Sequence, residues 1–252
     1  MSMRLKGKLA IVTGGGRDIG RAVSLRLAAE GAKVVVNYYN DEASARRTLD
    51  EIIGGGGSAM LHRADVSRSA DVAGLIAAVR EVYGDRIDVL VNVAGGLVAR
   101  KPLDEMDEEF LDRVMNLNFK SAFLVTKAAR PFMGQGGSII NLSSIAGRDG
   151  GGPGAIAYAS SKGALMTFTR ALAKELGPHG IRVNALCPGL IGTSFHDIFS
   201  KPEGRKATAS ATPLRREGTA DEVAAAVAFL ASADASFMTG VNMDVNGGLY
   251  FS

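Results

Sequence analysis

Tyr158 and Lys162 stand four residues apart in the stretch YASSK, so a helix through them carries both side chains on one face. The pair has a specific chemical use. A free phenol titrates near ~10, too high for efficient proton transfer at neutral pH. An ammonium beside it favours the phenolate and brings that value down. Tyr158 is therefore a candidate general acid/base. Alone the pair means little, because a single tyrosine on a helix is usually a packing residue.

A second candidate is TGGGRDIG, residues 13 to 20. Three glycines precede Arg17 and Asp18, where a helix begins. Such turns bring backbone N–H groups close to phosphate. The dinucleotide fingerprint GxGxxG does not fit, because Ile19 stands where its third glycine belongs. A spaced pattern, TGxxxGxG, fits except that Asp18 replaces the middle glycine. Taken alone, the turn reads equally well as an ordinary glycine-rich loop. Asp18 is expected to cap the helix starting at Ile19, where a carboxylate accepts backbone N–H bonds and suits the helix dipole. The alternative turns it toward a ribose hydroxyl or the substrate.

The elements that must position these residues follow one rhythm of strand, turn and helix. Apolar runs predict strands at Leu9–Val12, Lys33–Asn37, Ala59–His62, Ile87–Asn92, Ser138–Leu142, Ile181–Leu186 and Val241–Val245. Helical spacing predicts helices from Ile19 to about Gly31, then 41–53, 71–83, 106–133, 158–176 and 221–230. Runs such as LAIV, VVV and SIIN do not alternate, which is the mark of strands buried on both faces. The expected fold is a single-domain α/β Rossmann fold over residues 1–252: a doubly wound parallel sheet of about seven strands with helices on both faces. Ligands of such sheets sit beyond the carboxyl ends of the strands.

Composition narrows the function classes. The 252 residues carry a net charge of only +3, with dispersed cations, no Trp and 6% aromatics. That argues against nucleic acid as a partner. One cysteine, Cys187, allows no internal disulfide. No apolar run reaches a membrane span, no metal site is expected, and the basic start runs straight into the first strand, so a cytoplasmic protein is the expectation.

Residues at the strand ends then complete an ordered set: Asp65, NVAG at 92–95, Asn118 in VMNLNF, Ser144, YASSK, RVNALCPG at 182–189 and TGVNMDVNGG at 239–248. With TGGGRDIG they make the chain resemble the classical short-chain dehydrogenase/reductase family from Gly7 to Gly248. The resemblance implies an NAD(P)(H)-dependent oxidoreductase with a catalytic tetrad of Asn118, Ser144, Tyr158 and Lys162. Tyr158 is its acid/base, and Lys162 also bonds the cofactor ribose. Ser144 steadies the substrate oxygen, and Asn118 holds a water that relays protons. It further implies a cofactor site from Gly14, Gly16, Arg17, Asp18, Ile19, Gly20, Asp65, Val66, Asn92, Ala94, Gly95, Tyr158, Lys162, Pro188, Gly189, Ile191 and Thr193.

The chain departs from the family in places. Val93 replaces an asparagine, Asn246 replaces the closing aspartate, and Ser144 lies one residue farther from the tyrosine than is usual. The extra residue is assigned to the glycine-rich loop at 150–154. NAD users often carry an acid at the end of the second strand, where this chain has Tyr38. Arg17 stands where NADPH-dependent members place a phosphate partner. NADP(H) is therefore expected over NAD(H), although Asp41 could reach the ribose.

Leu190–Arg216 resembles the family's substrate lid. Phe195, His196 and Arg148 are the candidate substrate contacts. Arg100, Lys101, Arg148, Lys201, Arg205 and Lys206 cluster in stretches that flank one cleft. Two readings stand: an anionic substrate or carrier, or solvated loop charges. The general match is to 3-oxoacyl carrier-protein reductases. Lys174 matches one carrier-docking position, while Pro131 stands where an arginine is expected. The substrate is thus open between a 3-oxoacyl group, even one on an acidic carrier protein, and a sugar acid. A non-catalytic dinucleotide sensor or scaffold is the alternative function. The resemblance also implies a homotetramer, with Val125, Ala128, Ala129, Phe168 and Leu172 suited to a helix–helix face.

Overall fold

Why the apolar runs become strands is visible in how each one divides. Alternate residues of every central strand point to opposite faces. Ala10, Val12, Val34, Val36, Val89, Val91, Ile140 and Leu142 pack on one side of the sheet. Leu9, Ile11, Val35, Leu90, Ile139 and Val183 pack on the other. Both faces are covered, so the strands do not alternate between apolar and polar, and the polar residues they do bury, such as Asn92 and Asn141, are hydrogen-bonded inside the sheet.

A computed structural model describes residues 3–251. The strands are β1 (Leu9–Thr13), β2 (Lys33–Tyr38), β3 (Ser58–Arg63), β4 (Val89–Asn92), β5 (Ser138–Leu142), β6 (Arg182–Pro188) and β7 (Asn242–Val245). They form one sheet in the order β3-β2-β1-β4-β5-β6-β7. Every pairing is parallel. The expected single-domain Rossmann fold is therefore present. The order turns outward on either side of β1 and β4, and the crevice above that switch point is where such folds bind ligands.

One face is covered by α1 (Asp18–Ala29) and α10 (Ala220–Ala231), through Val23, Leu27, Val223, Val227 and Leu230. The other is covered by α3 (Ser69–Tyr83), α5 (Ser121–Ala129) and α7 (Ile156–Leu176), through Leu75, Val79, Val125, Ala129, Ala173 and Leu176. The remaining helices are α2 (Glu42–Gly54), α4 (Glu108–Met115), α6 (Ala146–Asp149), α8 (Ser194–Phe199) and α9 (Pro202–Ala211). Among the described residues no helix is long and apolar enough to cross a membrane.

The structure refines three expectations. The helix expected over 106–133 is interrupted: α4 gives way to a π-helical turn at Asn116–Lys120 before α5 begins. Such bulges re-aim side chains and gather at functional sites. The segment expected to be one lid, 190–216, contains two helices and runs to Gly218, where Ile191 and Gly218 form a parallel bridge. Val125 and Ala129, which suited either a helix–helix face between subunits or burial against the chain's own sheet, are fully buried against that sheet.

Candidate active site

The cleft begins at the glycine turn. Gly14 has φ 62, and a Cβ there would meet Ala94 at 3.2 Å. A Cβ on Gly16 would meet Ala45 at 3.0 Å, and one on Gly20 would lie 1.9 Å from the Gly14 carbonyl oxygen. Side chains are thus excluded, and bare backbone faces the crevice at the start of α1. This fits a diphosphate, which needs N–H groups and close approach.

Asp18 is not the cap it was expected to be. It adopts φ 50, and α1 has Arg17 as its N-cap with no side-chain cap bond. The Asp18 carboxylate instead accepts from Ser194, N–H at 2.9 Å and Oγ–H at 2.6 Å.

Asp65 shapes the wall after β3: its carboxylate accepts the Ser67 N–H at 3.0 Å and hydroxyl at 2.6 Å. The cleft is also lined by Arg17, Ile19, Tyr38, Ala94, Gly95, Pro188, Gly189, Ile191 and Thr193. Two residues expected at the cofactor turn their side chains away from the cleft. The Val66 side chain is buried in the core. Asn92 turns into the sheet, where its amide donates to Asn141 Oδ1 at 2.9 Å and Thr126 Oγ1 at 3.2 Å. Asn141 continues the ladder to Thr169. An asparagine at a strand end therefore serves the polar spine of the sheet here, not the cleft.

The proton-handling residues meet on α7 and the loop after β5. Lys162 Nζ donates to the Leu142 carbonyl at 2.7 Å and lies 5.7 Å from the Tyr158 ring centre. Burial holds Lys162 down at about 8. Burial pushes the Tyr158 phenol up, and the Ser144 hydroxyl beside it pulls the other way. The expected lowering of Tyr158 by Lys162 is not found in the protein alone, because desolvation of the phenolate dominates. Ser143 and Ser144 both line the cleft but differ in their hydroxyls. That of Ser143 donates to the Lys162 carbonyl at 2.8 Å, while that of Ser144 lies beside the Tyr158 phenol.

Asn118 lies in the π turn, buried behind Gly95 and Gly96. Its amide donates to the carbonyls of Gly96 and Val114, both at 2.9 Å, and its Oδ1 accepts the Gly96 N–H at 2.9 Å. A Cβ on Gly95 would sit 2.6 Å from that Oδ1 and 3.1 Å from Lys162 Nζ. Gly95 is thus the place where Asn118 and Lys162 converge. Val98 forms a wall that sequence reasoning missed. It takes φ 68 while Ala99 N–H bonds Leu97 O at 2.9 Å, a tight turn that is strained for a β-branched residue.

Beyond Tyr158 the cleft has an apolar wall of Leu97, Val98, Leu190, Phe195, Ile198 and Phe199, with Arg100, Ser200 and Lys201 beside it. The Phe195 ring lies 5.8 Å from Tyr158 and 5.1 Å from His196. His196 also lines the cleft, its Nδ1 2.8 Å from Ser200 Oγ. Burial, then Arg205, hold it below the usual histidine range. Of the expected cation cluster only Arg100, Lys201 and Arg205 line the cleft. Arg148 is outside the cleft, bonded to Asp244 at 2.8 Å and to the Asn242 carbonyl at 2.6 Å. Arg205 is committed to Glu217 and Asp197, and Lys101 lies 3.5 Å from Asp107. Lys206 is not part of the lining.

Known proteins share this arrangement. The family described as enoyl-(acyl carrier protein) reductase matches residues 14–250. An uncharacterized oxidoreductase of Methylorubrum extorquens is 40% identical over 98% of this chain and 99% of its own. The (3R)-3-hydroxyacyl-CoA dehydrogenase of Mus musculus is 40% identical over 98% of each chain. The crystal structure of a Burkholderia cenocepacia short-chain dehydrogenase in complex with NADP superposes with a TM-score of 0.92, at 34% identity over 98% of this chain and 99% of that one. A glycine turn built for close approach, a Tyr–Lys pair beside a serine, and likeness along nearly the whole length agree: this chain belongs to the classical short-chain dehydrogenase/reductase family and is an oxidoreductase.

Proposed function

We propose that this protein interconverts a carbonyl and a secondary alcohol, using NADP(H), on a substrate whose carbonyl is carried by an acyl chain. The observation that carries the reading is the meeting of Ser144, Tyr158 and Lys162 in a cleft that begins at the bare glycine turn. A bound nicotinamide supplies or accepts the hydride. Gly14, Gly16, Gly20 and Ala94 offer it backbone, and Lys162 offers a donor for its ribose. Ser144 donates to the substrate oxygen and steadies developing negative charge. Tyr158 gives that oxygen a proton in reduction and takes it back in oxidation. Lys162, protonated below about pH 8, favours the phenolate left behind. Asn118 holds Gly96 and packs behind Lys162. The segment 190–218 acts as the lid.

NADP(H) is favoured by charge. The end of β2 carries Tyr38 in place of an acid, and Asp41 is engaged by the Ser44 N–H at 3.0 Å as the cap of α2. Arg17 is exposed in the turn. A 2′-phosphate therefore meets a cation and no free carboxylate from these residues. The apolar substrate wall and the pairing of Arg148, Arg205 and Lys101 favour an acyl group over a sugar acid. The name of the Mus musculus relative points the same way. An acidic carrier protein is not required by this reading. A homotetramer is the expected assembly, with the exposed Phe123, whose ring lies 6.3 Å from Phe168, near one interface. A monomer mass in light scattering overturns that.

The test is oxidation of NADPH and NADH against 3-oxoacyl thioesters, simple ketones and sugar acids. Tyr158→Phe is expected to lower kcat by ~10²–10⁴-fold with dinucleotide binding retained. Full activity in that variant rejects the mechanism.

A further inference from the structure

The lid leaves the sheet after β6 and returns to α10 with its ends joined: Gly192 N–H to Gly218 O at 2.9 Å, and Gly218 N–H to Leu190 O at 2.9 Å. Its first helix, α8, has Thr193 as N-cap, but that threonine makes no side-chain cap bond. The acceptor comes from a residue 176 positions earlier in the chain. Asp18 Oδ1 takes the Ser194 N–H and Oδ2 takes the Ser194 hydroxyl. Both carboxylate oxygens thus serve one residue of the lid.

Asp18 gives nothing comparable to its own helix, and its backbone sits at φ 50. Glycine takes that conformation freely, and aspartate does so at some cost. What the carboxylate contributes is therefore the tie to Ser194. The next residue, Phe195, packs on Tyr158. Arg100 holds the far end of α8 by donating to the Phe199 carbonyl at 3.1 Å, and Arg205–Glu217 is internal to the lid. The Asp18 tie differs from both, because it starts inside the glycine turn.

We propose that Asp18 is a positioning residue that links the dinucleotide turn to the lid. It holds the first turn of α8, and with it Phe195, over Tyr158, so that ordering of the turn by dinucleotide and closure of the lid favour each other. The proposal rests on the NADP(H) reading above. Linkage of this kind is reciprocal: whatever loosens the lid loosens the dinucleotide by the same factor.

Trypsin reads the lid directly, since Arg205, Lys206, Arg215 and Arg216 lie within it and none precedes a proline. Cleavage there is followed by mass spectrometry in the full-length protein, with and without NADPH. The variants are Asp18→Gly, Asp18→Asn, Ser194→Ala and the double variant Asp18→Gly/Ser194→Ala. In the wild type NADPH slows lid cleavage. Asp18→Gly is expected to speed cleavage of the free protein by roughly 3- to 10-fold, the scale of a partly exposed charge-assisted bond, and to shrink the protection by NADPH. Its Tm stays level or rises, because glycine relieves the positive φ. Asp18→Asn keeps an oxygen acceptor and the left-handed preference, so it falls between. KM for the carbonyl substrate rises more than kcat falls. The double variant is no worse than the Asp18→Gly single, because Ser194→Ala keeps the backbone N–H bond that Asp18→Gly already removes. Cleavage rates in Asp18→Gly equal to wild type overturn the latch, as do additive effects in the double variant. NADPH that binds the wild type without slowing cleavage overturns the coupling. If no carbonyl is turned over with either dinucleotide, the proposed function fails, while cleavage of the free protein still decides the latch.

Discussion

Lys162 Nζ stands 5.7 Å from the centre of the Tyr158 ring, one turn along α7, and is pinned there by its 2.7 Å bond to the Leu142 carbonyl. The two burial effects oppose one another in function. Burial raises the phenol and lowers the ammonium. Lys162 therefore carries its charge near neutrality and sheds it above about pH 8. Ketone reduction by the free enzyme is expected to hold level near pH 7 and to fall above about pH 8, read as kcat/KM. In Lys162→Met that quantity drops by ~10²–10⁴-fold, and the alkaline limb near 8 is gone. A limb at unchanged pH in the variant assigns it to another group.

The same shift predicts a stability effect of definite sign. Unfolded, Lys162 titrates at its ordinary value of 10.5, and folded it titrates at about 8. Between those values the unfolded chain binds the proton and the folded chain does not, so stability rises with pH. The cost of burying the charge is fully present below about pH 8 and is relieved on going up to about 10.5. The stability of wild type minus Lys162→Met is expected to increase by up to about 3 kcal/mol across that window. Urea unfolding of both proteins at pH 7 and pH 10 measures it. A difference that stays flat, or that falls as pH rises, contradicts a buried ammonium.

Much of this architecture could be read from local pattern, and the reason is physical. A strand buried on both faces is mainly apolar without alternation, so the run around Ile139 and Ile140 made β5 legible at Ser138–Leu142. The crevice residues follow the strand ends, which also need no tertiary knowledge. What stayed hidden is who pairs with whom across the fold. Asp18 finds Ser194 and Arg148 finds Asp244, 176 and 96 positions apart. Periodicity carries no trace of such pairs. Arg148 looked free for this reason, because its acid Asp244 lies far along the sequence. Asn92 misled in the same way, since its partners Asn141 and Thr126 belong to β5 and α5. Helices α8 and α9 bury no residue fully, so they leave only a weak apolar stripe to detect.

Cofactor choice should respond to two positions at the end of β2 and in the glycine turn. Arg17 is an exposed cation whose closest acid, Asp18, is 3.9 Å away and already occupied by Ser194. Arg17→Ala is expected to lower kcat/KM for NADPH by ~10-fold, the scale of one exposed charge-assisted contact. NADH should change little, because it has no 2′-phosphate. Tyr38→Asp places a carboxylate where the ribose hydroxyls of NADH gain an acceptor and a phosphate is repelled. That variant should shift the NADPH/NADH ratio of kcat/KM toward NADH. A ratio that neither substitution moves rejects the assignment of this corner to the adenosine ribose.

Two glycines in helices make opposite predictions from the same substitution. Gly20 lies in the first turn of α1, and a Cβ there would sit 1.9 Å from the Gly14 carbonyl oxygen and 3.0 Å from Gly15 Cα. Both obstacles are backbone, so relief requires the turn itself to open. Gly20→Ala is expected to cost about 1–3 kcal/mol as overpacking and to weaken dinucleotide binding, because the displaced atoms line the cleft. Gly74 lies inside α3 with nothing within 4 Å of where its Cβ would be. Gly74→Ala removes the helix penalty of glycine without a clash and should add roughly 0.5–1 kcal/mol, with NADPH affinity unchanged. Thermal unfolding and dinucleotide titration of the two variants side by side separate turn geometry from helix propensity. If both substitutions change stability in the same direction, the tight packing of α1 onto the glycine turn is not what holds this end of the cleft.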